Sequence, residues 1–240
     1  MSGRHYRYYD MLMAGFVTVL LCSNLIGTAK VCMIELPFAL PIIGNHLTFG
    51  AGNIFFPISY IFGDVLTEVY GFARARKVIW AGFGAMIFAT VMSQVIIHLP
   101  PAPDEPFNVL LQPAIETVFG ATWRIVVASI LAFWIGDFVN SYVLARMKVM
   151  TQGRMLWTRT IGSTIFGQGC DTAIFLTIAF YGDWPTEMLT AIILNQWLFK
   201  VGYETLATPF TYLVVGKLKR AEGVDFYDTH THFSPFAVKE

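Results

Sequence analysis

Residues 123–148 read WRIVVASILAFWIGDFVNSYVLARMK. Between its basic ends this stretch is apolar over the length that a helix needs to cross the hydrocarbon core of a bilayer, about 20 residues. It nevertheless contains Asp137, Asn140 and Ser141, whose spacing places them on one face of a helix. The stretch therefore predicts a transmembrane helix that turns one polar face away from lipid.

The composition of the whole chain also favours a membrane protein. Hydrophobic residues make up 55% of the 240 residues and charged residues 13%, whereas a typical soluble domain is about 25% charged. The formal net charge of +0 gives no long-range attraction to nucleic acid. The three cysteines form no C-x-x-C pair, so neither a disulfide framework nor a metal site is predicted.

Further apolar runs predict an all-α membrane protein with six transmembrane helices. The predicted spans cover about Met11–Ile34, Gly52–Gly71, a third run ending near Leu99, Trp123–Ala145, Leu156–Tyr181 and Glu187–Gly216. Residues 1–220 would form this transport domain, and residues 221–240 a polar, poorly ordered cytoplasmic tail. Between the third and fourth spans, residues 108–119 are predicted to lie at the membrane surface as a short amphipathic helix.

The charges of the loops predict the orientation. The N-terminus, the turn with Arg74, Arg76 and Lys77, the loop with Arg154, and the tail are all basic. The long connection after the third span and the tight turn after the fifth span contain acidic residues and no lysine or arginine. The positive-inside rule then places both termini in the cytoplasm, in a multi-pass protein of the cytoplasmic (inner) membrane.

Charged residues inside the predicted spans are the candidate functional residues. They are Asp64, Glu68, Asp137, Arg159, Asp171, Lys200 and Glu204. Each would cost roughly 2.5–3.5 kcal/mol if left alone at the bilayer centre. Arg159 and one carboxylate could form a closed structural pair, but five acids face only two bases. The surplus of acids favours water, protons or a cationic or donor-rich ligand in an internal cavity.

Helical spacing arranges these residues in two layers. One helical turn separates Asp64 from Glu68, and the same spacing separates Lys200 from Glu204. A polar stripe along the fifth span includes Gln168. A rise of about 1.5 Å per residue gives their depths. The layer near the midplane is predicted to hold Asp64, Asp137 and Lys200, and the layer one turn deeper Glu68, Ser141, Arg159 and Glu204.

Four strings carry a resemblance to a known family. They are FPISYIFGDVLTEVYGFARARKVIW (56–80), FWIGDFVNSYVLARMK (133–148), RTIGSTIFGQGCDTAIF (159–175) and KVGYETLATPFTY (200–212). These strings, which cover the second to sixth spans, resemble the queuosine precursor transporter family, also described as vitamin-uptake-like membrane proteins. The resemblance implies a fold akin to the substrate-binding components of energy-coupling-factor transporters. It also implies uptake of 7-deazaguanine precursors of queuosine, such as 7-cyano-7-deazaguanine and 7-aminomethyl-7-deazaguanine.

The resemblance and the buried charges together give one set of candidate substrate-binding residues, without individual roles. The set is Asp64, Glu68, Asp137, Asn140, Arg159, Gln168, Asp171, Lys200 and Glu204. Carboxylates can accept hydrogen bonds from the ring N–H groups of a guanine-like base, and basic or amide side chains can donate to its carbonyl. No catalytic residue, cofactor or metal is predicted, because the sequence contains no H-E-x-x-H, G-x-S-x-G or C-x-x-C motif.

The source of energy stays open. The sequence contains no Walker A motif, so the chain is not expected to hydrolyse ATP itself. An ion gradient, cytoplasmic trapping of the substrate, or a partner ATPase could each drive uptake. The alternative function is therefore a substrate-binding subunit of an ATPase-driven transporter for another small heterocycle or vitamin. The expected partners are the small-molecule substrate and membrane lipid, with a homodimer as a further possibility and no nucleic acid.

Overall fold

The computed structural model describes residues 6–26, 30–40, 44–102, 105–120 and 123–237. Helices dominate these residues, as predicted. They are α1 (Tyr9–Leu25), α2 (Phe56–Tyr70), α3 (Phe72–His98), α4 (Pro106–Phe119), α5 (Trp123–Met150), α6 (Leu156–Phe180) and α7 (Thr186–Glu222). An antiparallel hairpin of β1 (Val31–Leu40) and β2 (Gly44–Gly50), followed by a short 3-10 helix (Ala51–Ile54), leads from α1 to α2.

The predicted first span is too long. Helix α1 ends at Leu25, and the chain pairs as a hairpin from Val31, opposite Gly50, instead of continuing as a helix to Ile34. Pro37 lies within β1, and a proline removes a helical hydrogen bond and clashes with the preceding turn. The apolar residues before it suit a strand as well as a helix, so hydrophobicity alone did not distinguish the two.

A single residue, Gly71, separates α2 from α3. Its φ of +86° lies in the left-handed region, which glycine adopts without strain. The basic residues 74–77, predicted to form a turn, lie instead at the start of α3. This helix can begin so early because Asp228 of the C-terminal tail accepts hydrogen bonds from the backbone N–H of Phe72 at 3.1 Å. The carboxylate satisfies a donor that the first turn would otherwise leave free.

Several helix ends meet at one end of the molecule. Glu222, the last residue of α7, accepts a hydrogen bond from the backbone N–H of Arg7, just before α1, at 3.0 Å. Tyr9, in the first turn of α1, donates to the backbone carbonyl of Arg74, near the start of α3, at 2.9 Å. The starts of α1 and α3 and the end of α7 therefore lie together, at what we call the basic end.

Other helix termini, those of α3, α4, α5 and α6, meet at the opposite end of the molecule. Arg124, at the start of α5, forms an ion pair with Asp183, just after α6, at 3.2 Å. Gln94, in the last turns of α3, donates to the backbone carbonyl of Phe119, at the end of α4, at 3.0 Å. Helices α1, α3 and α6 thus run in one direction, and α2, α5 and α7 run in the other.

Charged side chains are buried between the helices while large apolar side chains lie on the outer surface, which is unusual for a soluble protein. In α7, Glu204 is 1% exposed, whereas Leu206, two residues further on, is 82% exposed. Phe88 in α3 and Phe166 in α6 also face outward. An apolar outer surface around a polar interior suits contact with lipid, in which helices satisfy their own backbone hydrogen bonds.

Two helices of the described ranges, α3 and α5, are both long and apolar enough to cross a bilayer by length and composition alone. Helices α6 and α7 are also long, but their polar stripes lower their hydrophobicity, and α1 and α2 are shorter. The helical fold and the two apolar helices α3 and α5 are consistent with an all-α membrane protein, and the count of six spans stays a prediction. The predicted surface helix at residues 108–119 is present as α4, which buries none of its residues.

Residues 223–237 of the C-terminal tail pack against the helices, contrary to the expectation of a poorly ordered end. The Phe233 ring packs against the rings of Phe72 and Tyr142, with centroid distances of 5.2 Å to each. The indole N–H of Trp80 donates to the backbone carbonyl of Pro235 at 2.9 Å. The tail therefore lies across α3 and α5. Although most of its residues are polar, its aromatic residues supply the apolar surface that packs there. Its cytoplasmic location remains a prediction.

Candidate functional site

Helices α5 and α6 cross at two glycines. A Cβ atom added to Gly167 would lie 2.6 Å from the Cβ of Asn140, and one added to Gly136 would lie 2.8 Å from the Cβ of Asp171. Both distances are shorter than van der Waals contact, so only glycine permits this approach of the two backbones. The crossing brings the polar face of α5 directly against the polar stripe of α6.

Polar side chains of α2, α5, α6 and α7 meet beside this crossing in what we call the acidic layer. Its members are Tyr60, Asp64, Asp137, Asn140, Gln168, Asp171, Lys200 and Glu204. A second group, which we call the ion-pair layer, lies towards the basic end. Its members are Glu68, Lys148, Arg159, Lys219 and Asp225.

Hydrogen bonds link part of the acidic layer. The Asn140 amide donates to one oxygen of Asp64 at 2.9 Å. The Lys200 ammonium donates to Asp171 at 2.6 Å and to the Gln168 amide oxygen at 3.3 Å. These contacts connect α2 with α5 and α6 with α7, and Lys200 forms an ion pair with Asp171.

Several carboxyl oxygens of the acidic layer have no such hydrogen bond. The second oxygen of Asp64, one oxygen of Asp137 and both oxygens of Glu204 are buried without a hydrogen-bond partner among the described residues. The amide oxygen of Asn140 is in the same state. Buried polar atoms are nearly always paired in native proteins, and an unpaired one usually marks a site for water, an ion or a ligand. The acidic layer is thus a set of hydrogen-bond acceptors that needs donors.

A small cavity adjoins the acidic layer. It has a volume of about 10 Å³, and its polar lining comes from Tyr60, Asp137, Asn140 and Ser141, with Phe16 on its apolar side. A space of this size holds about one water molecule. This cavity is therefore too small for a purine-like ligand in this conformation.

The ion-pair layer is closely satisfied. The Arg159 guanidinium donates to both oxygens of Glu68, at 2.7 and 2.8 Å. Lys219 donates to Glu68 at 2.5 Å, and Lys148 lies 3.5 Å from the same carboxylate. A bidentate Arg–carboxylate pair is geometrically specific and strong, so this layer fixes α2, α5, α6 and α7 to one another.

The C-terminal tail completes the ion-pair layer. Asp225 accepts from Lys148 at 2.5 Å and from Lys219 at 2.8 Å. Partial burial raises the pKa of the Asp225 carboxyl, but hydrogen bonds from the two lysines outweigh it and hold that pKa below its usual range. Lys148 also donates to the backbone carbonyl of Phe226 at 2.7 Å. The tail thus neutralises lysines that α5 and α7 bring together.

All nine candidate residues lie in these two layers, so the two-layer arrangement expected from helical spacing is present. Glu68 and Arg159 form the closed pair that was left open as an alternative. The prediction that Glu204 lies with them in the deeper layer was wrong. Its electrostatic neighbours are Asp64 and Tyr60 of the acidic layer.

Sequence reasoning missed Lys148, Lys219 and Asp225, because it counted the two lysines only as loop charges that set orientation. A signal was present. The buried stripe of α7 continues from Glu204 through Thr208, Thr211 and Val215, and its next position at helical spacing is Lys219.

Residues 50–214 match the sequence model of the family described as "Putative vitamin uptake transporter". The match covers more than half of the chain and contains all nine candidate residues. The chain belongs to this family. Lys219 and Asp225 lie beyond the matched region.

Three relatives have names that specify a transported substrate. A Bacillus subtilis protein named probable queuosine precursor transporter is 32% identical over 78% of this chain and 80% of its own length. The queuosine precursor transporter of Escherichia coli is 32% identical over 74% of this chain and 75% of its own. A probable queuosine precursor transporter of Haemophilus influenzae is 27% identical over 62% of both chains.

These relatives are named as transporters, in agreement with the prediction that the chain is not an enzyme. No solved structure matches the chain significantly. The predicted likeness to substrate-binding components of energy-coupling-factor transporters therefore stays a prediction.

Proposed function

We propose that this chain carries a queuosine precursor, a 7-deazaguanine such as 7-cyano-7-deazaguanine or 7-aminomethyl-7-deazaguanine, across the cytoplasmic membrane into the cell. The acidic layer is its binding site. The observation that carries the proposal is the set of buried acceptor oxygens on Asp64, Asp137 and Glu204 that have no hydrogen-bond partner in the described ranges. These residues lie in the region shared with the transporter family. The names of the relatives support this class of substrate.

The chemistry of the acidic layer suits a guanine-like edge. Such an edge presents adjacent N–H donors and a carbonyl acceptor, and a carboxylate accepts from the donors in charge-assisted hydrogen bonds. Asp64 and Glu204 supply acceptors, and the Asn140 and Lys200 side chains supply donors for the carbonyl. An aminomethyl cation on the substrate would match a further carboxylate, for which Asp137 is suitably placed beside the cavity.

The described conformation is a closed one. A cavity of about 10 Å³ is far smaller than the few hundred Å³ typical of pockets for small molecules. Substrate therefore enters the acidic layer only after the helices move apart. The ion-pair layer lies between the acidic layer and the basic end, so it forms the barrier on that side, and its bonds must rearrange for release.

The proposed topology has six spans, formed by α1, α2, α3, α5, α6 and α7, with both termini in the cytoplasm. The alternating directions of these helices support it. Basic side chains also collect at the end where α1 begins and α7 ends, as the positive-inside rule requires of a cytoplasmic side. They are Arg7, Arg74, Arg76, Lys77, Arg146, Lys148, Arg154, Lys217, Lys219 and Arg220.

Uptake by cells tests the proposal. Cells that cannot synthesise 7-cyano-7-deazaguanine would express the chain and be supplied with the labelled compound. We expect uptake with the wild type. Asp64→Asn and Asp137→Asn should reduce it by about tenfold or more, because a hydrogen bond to a charged group contributes about 1.5–3 kcal/mol. Glu187→Gln, an acid-to-amide change at an exposed position of the same membrane protein, is the matched control.

Lack of uptake by well-inserted wild-type protein would exclude this substrate or show that a partner is required. Proteoliposomes that contain the purified chain alone separate these two outcomes. Accumulation or equilibration of the compound in such vesicles would exclude an obligatory ATPase partner. Binding without transport would favour the alternative of a substrate-binding subunit.

A further inference from the structure

Glu204 is the least compensated acid of the interior. Its side chain is 1% exposed, and neither carboxyl oxygen has a hydrogen-bond partner within the part of the chain that the structure describes. Lys200, one helical turn earlier, is already bonded to Asp171 and Gln168. An ionised carboxylate in this position would lack both solvent and a countercharge, and such a group is normally neutralised instead.

The groups that face Glu204 add to this argument. Tyr60 and Asp64 of α2 are its electrostatic neighbours. Asp64 in turn lies beside Asp137 and Asn140 of α5, and Lys200 on α7 itself bonds to Gln168 and Asp171 of α6. Four acids of the acidic layer thus share a single cation. The cations of the ion-pair layer do not relieve the excess, because Arg159 and Lys219 donate to Glu68.

A metal ion is a less suitable occupant than a proton. Among the described residues, no three His, Cys, Asp or Glu side chains are grouped so that they could hold a metal ion. A proton needs a single carboxyl oxygen, and the observed orphan oxygens meet that requirement. Protonation also leaves Glu204 able to lie close to Asp64 without charge repulsion.

We propose that Glu204 is a proton-binding site, which is protonated in this closed conformation and releases its proton when a substrate N–H group takes its place. In that step the carboxylic acid becomes a carboxylate and a proton, and the proton passes to water on the side to which the site is open. The second half of the proposal rests on the proposed function. Substrate and proton then compete for Glu204.

Infrared spectroscopy of the ligand-free protein in lipid tests the first half. We expect a carbonyl band of a protonated carboxylic acid at neutral pH, shifted in heavy water and lost at alkaline pH. Glu204→Gln should remove this band, whereas Glu187→Gln should leave it unchanged. A carboxylic-acid spectrum that is the same in the wild type and in Glu204→Gln would overturn the proposal.

Calorimetry with 7-cyano-7-deazaguanine tests the second half. Titrations in two buffers of different ionisation enthalpy report the protons exchanged on binding. We expect the wild type to release a proton and Glu204→Gln to bind without release. Binding to the wild type without proton release would overturn the coupling while leaving the proposed function intact. If the compound does not bind, the proposed function fails, and the infrared result still decides whether Glu204 holds a proton.

Discussion

The acidic layer and the ion-pair layer lie one helical turn apart on α2, yet they treat buried carboxyl groups in opposite ways. Each oxygen of Glu68 accepts a hydrogen bond from a cation, whereas neither oxygen of Glu204 has a hydrogen-bond partner among the residues described. In the ion-pair layer three cations surround two acids. In the acidic layer one cation serves four. The first layer is complete without a ligand, and the second is not.

This difference separates stability from function. Removing one partner of a buried ion pair leaves an uncompensated charge and is strongly destabilising. A buried polar group without a partner already costs free energy in the resting state, and a ligand that supplies the missing partner recovers it. We therefore expect changes in the ion-pair layer to lower the stability of the protein, and changes in the acidic layer to alter ligand or proton binding in a folded protein.

The largest expected effect comes from Glu68→Gln. This change leaves Arg159, Lys148 and Lys219 with Asp225 as their remaining acid, so we expect a loss of about 3–5 kcal/mol in the free energy of unfolding. Unfolding of the purified protein in detergent, followed by heat or denaturant, measures it.

Glu204→Gln is the matched comparison, because it makes the same chemical change in the acidic layer. Since Glu204 has no countercharge to lose, its replacement should leave stability unchanged or slightly higher. Similar losses from the two variants would show that the layers do not differ as the contacts indicate.

A smaller effect is expected at the helix crossing that positions the acidic layer. In Gly167→Ala the new methyl group would lie 2.6 Å from the Cβ of Asn140. The two backbones must move apart, at a cost of about 1–3 kcal/mol, and Asn140 shifts relative to Asp64. We expect reduced stability together with reduced uptake of labelled substrate.

Gly202→Ala provides the control for this prediction. A Cβ atom at Gly202 in α7 would meet no atom within 4 Å, and alanine is a better helix former than glycine by up to about 1 kcal/mol. This variant should be at least as stable as the wild type and equally active. Equal loss in both alanine variants would point to a general intolerance of helix changes rather than to the crossing.

The site was largely predictable from the sequence, because a charge in an apolar run is rare and helical spacing gives its face. Asp64 and Glu68 are one turn apart in any α-helix, and five acids against two bases indicated a deficit of partners. The sequence could not show which of the acids have cationic partners and which do not. The outcome depends on Lys148 and Lys219, which point inward to Glu68. Both lie near helix ends, where a lysine normally faces water.

The fold was less predictable at its ends. The apolar run that contains Ile34 suits either a helix or a strand, and its pairing with β2 decides the outcome. The polar composition of the tail suggested disorder, whereas Phe233 and Pro235 have specific partners on α3. In both regions the deciding contacts are distant in sequence, and local patterns do not report them.

The smallest expected effect comes from the tail, where Asp225→Asn removes the acid that joins Lys148 to Lys219. The Asp225 side chain is 43% exposed, so solvent screens the interaction and we expect a loss of at most about 1 kcal/mol. Its pKa is lowered in the folded protein. The stabilisation it provides is therefore fully present above the ordinary pKa of an aspartate and is lost as the pH falls through the lowered value.

Hydrogen exchange of the tail amides, measured from neutral to acidic pH, tests this prediction locally. The tail should open more readily in Asp225→Asn than in the wild type at neutral pH, and the two should converge in acid, once the wild-type carboxylate is protonated. A difference that persisted unchanged in acid would mean that the Asp225 charge does not hold the tail. The tail would then depend on its aromatic contacts, and the ion-pair layer would be closed by Glu68 alone.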